Sequence, residues 1–181
     1  MNTKDFKQSS ESAINFLQCV LDKAELNILV ESLSEHQFEQ LMRDTRSRLN
    51  WRAYFPHYLS NHSFHAGFRL IGKQGVVGAF LTVYSSEDKH LHVLLLESLI
   101  RNQDAHPLSG RLTTLALIGI IDLLSAIPDS IGVFIVSPHK NLVEYYKEYG
   151  FSIVKSEALI MQADIATLQQ IQNQIMIRLQ S

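Results

Sequence analysis

Apolar residues along this chain change their period more than once, and the changes divide it into helical and extended stretches. Over residues 11 to about 33, Ile14, Leu17, Leu21, Ile28 and Leu29 approximate one helical stripe, with Ser10 or Ser12 as its cap. Ser34 followed three residues later by Gln37 is a capping-box pattern. Phe38, Leu41 and Met42 give the helix it opens an apolar face, and the reading carries that helix to about Trp51. Pro56 punctuates a loop, after which the spacing turns extended. Residues 68–71 and 76–84 flank the polar Gly72-Lys73-Gln74-Gly75, which predicts a hairpin. Residues 91–100, rich in Leu with Glu97 embedded, predict a buried third strand.

The second half alternates regularly. Pro107, Ser109 and Gly110 introduce a helix over about 111–126, apolar nearly all round and therefore expected to be covered on most sides. Residues 131–136 have the β-branched content of a buried strand. Ser137-Pro138 then opens a helix that ends at Gly150, and 151–154 and 159–161 resume strand character. From about Ile165, Leu168, Ile171, Ile175 and Leu179 recur at three- and four-residue spacing, which predicts an amphipathic C-terminal helix. The expected organisation is one domain over 1–181: a helical N-terminal segment (1–63), an α/β core (64–164) and the C-terminal helix.

Composition narrows the function classes. With 181 residues, 46% of them hydrophobic, the chain can bury a sizeable core, and a net charge of −2 gives no global pull toward nucleic acid or anionic membrane. The lone Cys19 excludes an internal disulfide framework and reads as a small core residue. No signal-peptide pattern is evident, and the apolar run 115–127 falls short of the roughly 20 residues of a membrane span, so a cytoplasmic location is expected.

The order hairpin, buried strand, glycine-containing turn, long helix, strand, helix, strand resembles the GNAT superfamily of N-acetyltransferases over about one hundred residues. The best local match is Asn141-Leu142-Val143-Glu144-Tyr145-Tyr146-Lys147-Glu148-Tyr149-Gly150-Phe151, similar to that family's Tyr, three residues, Gly-Phe helix ending. The resemblance implies a GNAT-like α/β fold, with a mixed, mostly antiparallel central sheet flanked by helices. It also implies an acyl-CoA cosubstrate, acetyl-CoA being expected, and an amine-bearing acceptor. By the same resemblance Tyr146 protonates the departing thiolate, although a packing tyrosine is an equal reading. The turn before the long helix resembles the family's pyrophosphate loop in part: Gly110 stands at the first glycine, but Pro107 and Leu112 depart from the pattern. Ser109, Gly110, Arg111, Leu112, Thr113 and Thr114 are then the implied cofactor-binding loop, or an ordinary helix cap. Backbone groups of Leu99, Ile100 and Arg101, after a splayed central strand, would pair with the cofactor's arm, and His139 or Asn141 would touch it. Glu97 is the implied general base, its proton affinity raised by desolvation; an exposed position or an ion pair with Arg69 or Arg101 is the alternative. Residues 51–65 would rim the acceptor site. A catalytically inactive binding or assembly module, and a homodimer, remain open alternatives.

Two other signals carry less. His57, His62, His65, His90 and His92 lack a zinc spacing and are read as polar histidines, with no metal expected. Arg43, Arg46, Arg48 and Arg52 read as a solvated helix end rather than a nucleic-acid surface.

Overall fold

The computed structural model describes residues 2–155 and 157–180, the side chains at 173, 175 and 178–180 excepted. Six α-helices and seven strands are found among them: α1 (Thr3–Lys23), β1 (Ile28–Glu31), α2 (Glu35–Arg43), α3 (Phe55–Tyr58), β2 (Ser63–Leu70), β3 (Gly78–Ser85), β4 (His90–Ser98), α4 (Leu112–Ser125), β5 (Gly132–Val136), α5 (Val143–Lys147), β6 (Ser152–Lys155), β7 (Ile160–Asp164) and α6 (Ile165–Gln180). The strands form one sheet in the order β1-β2-β3-β4-β5-β7-β6. Every neighbouring pair is antiparallel except β4 and β5, which run parallel with α4 as their crossover. The expected α/β architecture with a mixed, mostly antiparallel sheet is therefore the observed one.

The N-terminal reading needs correction. The single helix expected over 11–33 is two elements. α1 starts earlier, capped by Asn2, whose Oδ1 accepts the Asp5 N–H at 2.9 Å; Ser10 instead lies inside the helix and donates to the Phe6 carbonyl. Glu25 and Asn27 take positive φ of 53° and end the helical path, so Ile28 and Val30 enter the core from β1 rather than from a helix. Gln18 reaches across from α1 to this edge strand: its Oε1 accepts the Val30 N–H at 2.8 Å and its Nε2 donates to the Ile28 carbonyl at 3.1 Å. Cys19 is exposed on α1, not in the core.

α2 carries the expected reciprocal capping box between Ser34 and Gln37, but it stops at Arg43. The chain from 44 to 50 is irregular, and a 3-10 turn, Trp51–Tyr54, leads into α3. The first hairpin strand starts five residues earlier than predicted and the second is shifted to Gly78–Ser85; they pair from Ser63 opposite Val83 to Phe68 opposite Gly78.

Two apolar layers flank the sheet. On one face Phe64, Phe68, Phe80, Leu91 and Val93 meet α4, which lies between α1 and α6 and buries eleven residues. Gly119 faces α1 and the sheet: a Cβ there would make ordinary contact with Leu17 Cδ2 at 3.4 Å and Phe64 Cζ at 3.5 Å. On the other face Leu33, Phe38, Leu41 and Trp51 cover Ala79, Leu81, Leu95 and Leu99. In α6, Leu168 is buried and Ile171 packs against the first layer, as predicted; the Ile175 and Leu179 side chains lie outside the described residues. No helix among the described residues is long and apolar enough to cross a membrane.

Gly132 marks the closest approach within the sheet. A side chain there would run into the Ala163 carbonyl oxygen and stand 2.9 Å from Asp164 Cα, both backbone atoms that cannot rotate away. Gly132→Ala is expected to lower folding stability by about 2–4 kcal/mol, read from the urea midpoint. An unchanged midpoint would mean that β5 and β7 separate at no cost.

Candidate active site

The parallel pair β4 and β5 stays in register only for four residues, His90 to Val93 beside Gly132 to Ile135. β4 then continues to Ser98 with β3 on one side and no strand on the other. The parting is accompanied by a bulge: Thr82 stands opposite Val93 while Leu81 stands opposite Leu95, so Leu94 is the extra residue. The resulting V-shaped cleft holds two adjoining cavities. One, of about 210 Å³, is lined by Leu96, Ser98, Gly110, Leu112, Thr113, Tyr145 and Tyr146. The other, of about 110 Å³, runs through the gap between the strands from Leu49 past Leu94, Leu96, Ile135 and His139 to Tyr146. A larger hollow of about 310 Å³ lies elsewhere, where α1 meets the start of β2, lined by Lys7, Glu11, Ser32 and His65 among others. It is lined by the first turns of α1 and holds none of the tyrosines.

Tyr146 stands between the two cavities. It is 6% exposed, lines both cleft cavities, and its hydroxyl has no hydrogen-bond partner among the described residues. Burial, with the neighbouring Tyr149 second, raises the proton affinity of its phenolate, so it stands as a phenol able to give a proton. Gly150 takes φ +84° and closes the helical path, and Phe151 is buried beside Tyr146. Two further tyrosines brace this segment. Tyr149 OH lies 3.0 Å from Thr114 Oγ1 and 3.0 Å from Tyr145 OH, and Tyr145 also hydrogen-bonds Thr113. Hydroxyls of α5 are thereby tied to the first turn of α4.

The loop before α4 retains one conformational feature of the expected cradle. Gly110 has φ +68° with open space beside it, and Arg111 occupies the cap position of α4 with no side-chain cap hydrogen bond. Gly110, Leu112 and Thr113 line the cleft. Ser109 does not line either cavity, Arg111 donates to the Pro107 carbonyl at 3.1 Å, and Thr114 is buried on Tyr149. Asn141 is exposed at the start of a 3-10 turn, outside both cavities, whereas His139 lines the smaller one.

Two expectations are corrected by geometry. Leu99, Ile100 and Arg101 follow the end of β4 and face away from the cleft: Leu99 and Ile100 are buried in the two apolar layers, and Arg101 holds Glu97 and the Arg46 carbonyl. The unpaired backbone lies earlier, over 94–98. Glu97 is buried at 4% exposure, but four donors surround its carboxylate. Oε2 accepts from Ser47 Oγ at 2.7 Å and Trp51 Nε1 at 2.8 Å; Oε1 accepts from the Arg48 N–H at 2.6 Å and the Arg101 guanidinium at 2.8 Å. Desolvation alone raises its proton affinity, yet these donors together outweigh it and hold the carboxyl below its usual value. That is the reverse of what a base working near neutrality needs. Arg69 pairs with Glu31 instead, at 3.3 Å.

The proposed rim over 51–65 is likewise redistributed. Trp51 is buried, and His65 sits in β2, its Nδ1 accepting the Leu33 N–H at 3.2 Å while burial pushes it down to about 4. No residue of 51–65 lines either cleft cavity; Leu49, just before them, lines the smaller one. His90 and His92, two apart and so on one face of β4, flank Phe134, and His92 Nε2 lies 2.8 Å from Asp88 Oδ2. The Asp-x-x-x-His spacing across the turn was the available sequence signal for that pair. Among the described residues there is no cluster of three metal-ligating side chains.

No family model matches the chain, and no curated protein does. Solved structures do, at low identity. A crystal structure of AtaTR bound with acetyl-CoA superposes with TM-score 0.59 at 13% identity, covering 80% of this chain and 98% of that one. This is the GNAT fold. Spermidine/spermine N-acetyltransferase SpeG from Vibrio cholerae has TM-score 0.55 at 10% identity over 80% of this chain and 96% of its own. The PaiA N-acetyltransferase of Thermoplasma acidophilum, in complex with coenzyme A, has TM-score 0.51 at 13% identity over 76% and 98%. At these identities the likeness concerns the GNAT fold alone, and the chemistry rests on the cleft.

The Glu97 network gives stability a defined pH dependence. Because the folded carboxyl lies below its usual 4.5, its contribution is complete above that value and is lost as pH falls below it. The urea midpoint of the wild type should therefore drop more steeply than that of Glu97→Gln between about pH 5 and about pH 3. Parallel curves would show that the donors do not hold the carboxylate.

Proposed function

We propose that the protein is an acyl-CoA-dependent N-acyltransferase, moving acetyl from acetyl-CoA to a primary amine by direct attack. The observation that carries this reading is convergence. The unpaired backbone of β4, the free hydroxyl of Tyr146 and the uncapped start of α4 all meet at one cleft.

The residues present suit the cosubstrate in three respects. The N–H groups that open α4, after the left-handed Gly110, offer donors and a positive dipole end to a pyrophosphate. The exposed edge of β4 over 94–98 offers amide pairing to the pantetheine arm. The apolar walls from Leu96, Leu112 and Leu142 exclude water from the thioester. In the reaction the amine nitrogen attacks the carbonyl carbon, the C–S bond breaks, and Tyr146 delivers its proton to the sulfur. The attacking nitrogen sheds one proton to solvent water, since the carboxylate of Glu97 is committed to four donors.

Saturating acetyl-CoA should raise the thermal midpoint of the wild type, and Gly110→Trp should abolish that rise; at a hundredfold excess over Kd the gain corresponds to about 2.7 kcal/mol. No rise in the wild type would favour the non-catalytic binding module. Given binding, Tyr146→Phe should lower kcat roughly a hundredfold while leaving the acetyl-CoA Kd within about twofold. Undiminished turnover would remove Tyr146 from the chemistry.

A further inference from the structure

We propose that Glu97 is a positioning residue: it pins the segment 46–51 so that Leu49 closes the cleft opposite Tyr146 and keeps water from the acyl carbonyl until the amine enters. The inference rests on the acyl-transfer reading but concerns a wall of the site that neither the phosphate loop nor the tyrosine explains.

The segment 44–50 has no regular secondary structure of its own, so something else must fix it. Glu97 supplies three attachments within five residues, to Ser47 Oγ, to the Arg48 N–H and to Trp51 Nε1. Arg101 adds a fourth from the far side, bridging Glu97 to the Arg46 carbonyl at 2.6 Å. Trp51 is buried edge-on against Phe38, with ring centroids 5.5 Å apart, which anchors the end of the segment in the apolar layer. Leu49 lies between two of these fixed points, and it lines the same cavity as Leu94, Leu96, His139 and Tyr146. Trp51, two residues on, belongs to the layer that carries α2, and Tyr146 belongs to the layer that carries α4.

Stability is a poor reason to bury this charge. An apolar residue of similar size on β4 would extend the layer formed by Leu95 and Leu99, and a buried ion pair rarely exceeds such a replacement in stability. What a carboxylate does and a leucine does not is accept four directed hydrogen bonds at once, which fixes one conformation of an irregular segment. The place where that precision matters is the cleft, because an acyl thioester open to water hydrolyses: water adds to the carbonyl carbon, the C–S bond breaks, and acetate and the free thiol leave.

The test needs no knowledge of the acceptor. Acetyl-CoA hydrolysis without amine is measured by thiol release for wild type, Leu49→Ala and Glu97→Gln, alongside the acetyl-CoA Kd. Leu49→Ala removes an exposed side chain and should fold normally. Both variants should hydrolyse acetyl-CoA roughly fivefold faster at saturation, with Kd within about twofold of wild type. Trp51 is the one tryptophan of the chain, so its fluorescence reports the pin separately. Acrylamide quenching should increase in Glu97→Gln and stay at the wild-type level in Leu49→Ala. Hydrolysis unchanged in Leu49→Ala, in a protein that binds acetyl-CoA, overturns the shield. Quenching unchanged in Glu97→Gln overturns the pin. Failure of the wild type to bind acetyl-CoA instead overturns the acyl-transfer reading beneath both.

Discussion

The cleft exists because β4 and β5 are parallel neighbours that part after four residues. Beyond Val93, β4 keeps β3 on one edge and leaves the other edge open over 94–98. Buried backbone amides need partners, and a strand edge facing an apolar cleft is a strong demand for an extended, amide-bearing ligand. The same parting decides where the helices act. α4 is the crossover between the two strands, so its start is delivered beside the open edge; α5 follows β5 directly, so Tyr146 is delivered across from it. The bulge at Leu94 completes the arrangement by shifting alternation on β4, which turns Leu96 toward the cleft and Glu97 toward the segment 46–51.

How far the sequence showed this depends on whether a residue's role is local. The order of strands and helices from 63 onward was legible because each element carries a local signal, as in the continuous apolar run of α4 and the β-branched content of β5. The ending Tyr146 to Phe151 was legible because a left-handed glycine and a buried aromatic are local requirements. β1 was not: four residues next to a helix, with Ile28 and Leu29 at a spacing that also suits a helix, do not declare a strand until Asn27 and Gln18 are seen breaking the helix and closing its edge. The place where β4 and β5 separate was misplaced by several residues, because it depends on register between strands about forty residues apart.

Glu97 shows the same limit in electrostatic form. A carboxylate in an apolar run announces burial, and burial by itself raises proton affinity. The three donors from 47–51 are some fifty residues away in sequence, and nothing in the strand around Glu97 reveals them. Once they are in place the direction reverses, and the carboxylate is committed to accepting hydrogen bonds rather than a proton. In the sequence His92 was one of several scattered histidines; in the fold it has a carboxylate partner and stands on β4 just before the strands part.

The phosphate loop is the place where motif and geometry separate. A glycine-rich consensus there serves two needs: a backbone that turns with positive φ, and room for phosphate to approach the first N–H groups of a helix. Gly110 meets the first need, at φ +68°. Leu112 stands where a small residue would give room; it is 7% exposed, lines the cleft and packs its Cδ atoms over β3. The space it takes is the space over Gly78, where a Cβ would lie 2.6 Å from Leu108 Cδ2 and 3.3 Å from Leu112 Cδ1. A glycine on β3 thus compensates for bulk in the loop, and the start of α4 stays uncapped by any side chain. Part of the bulk that makes the motif hard to recognise is thus absorbed on the sheet side, over Gly78.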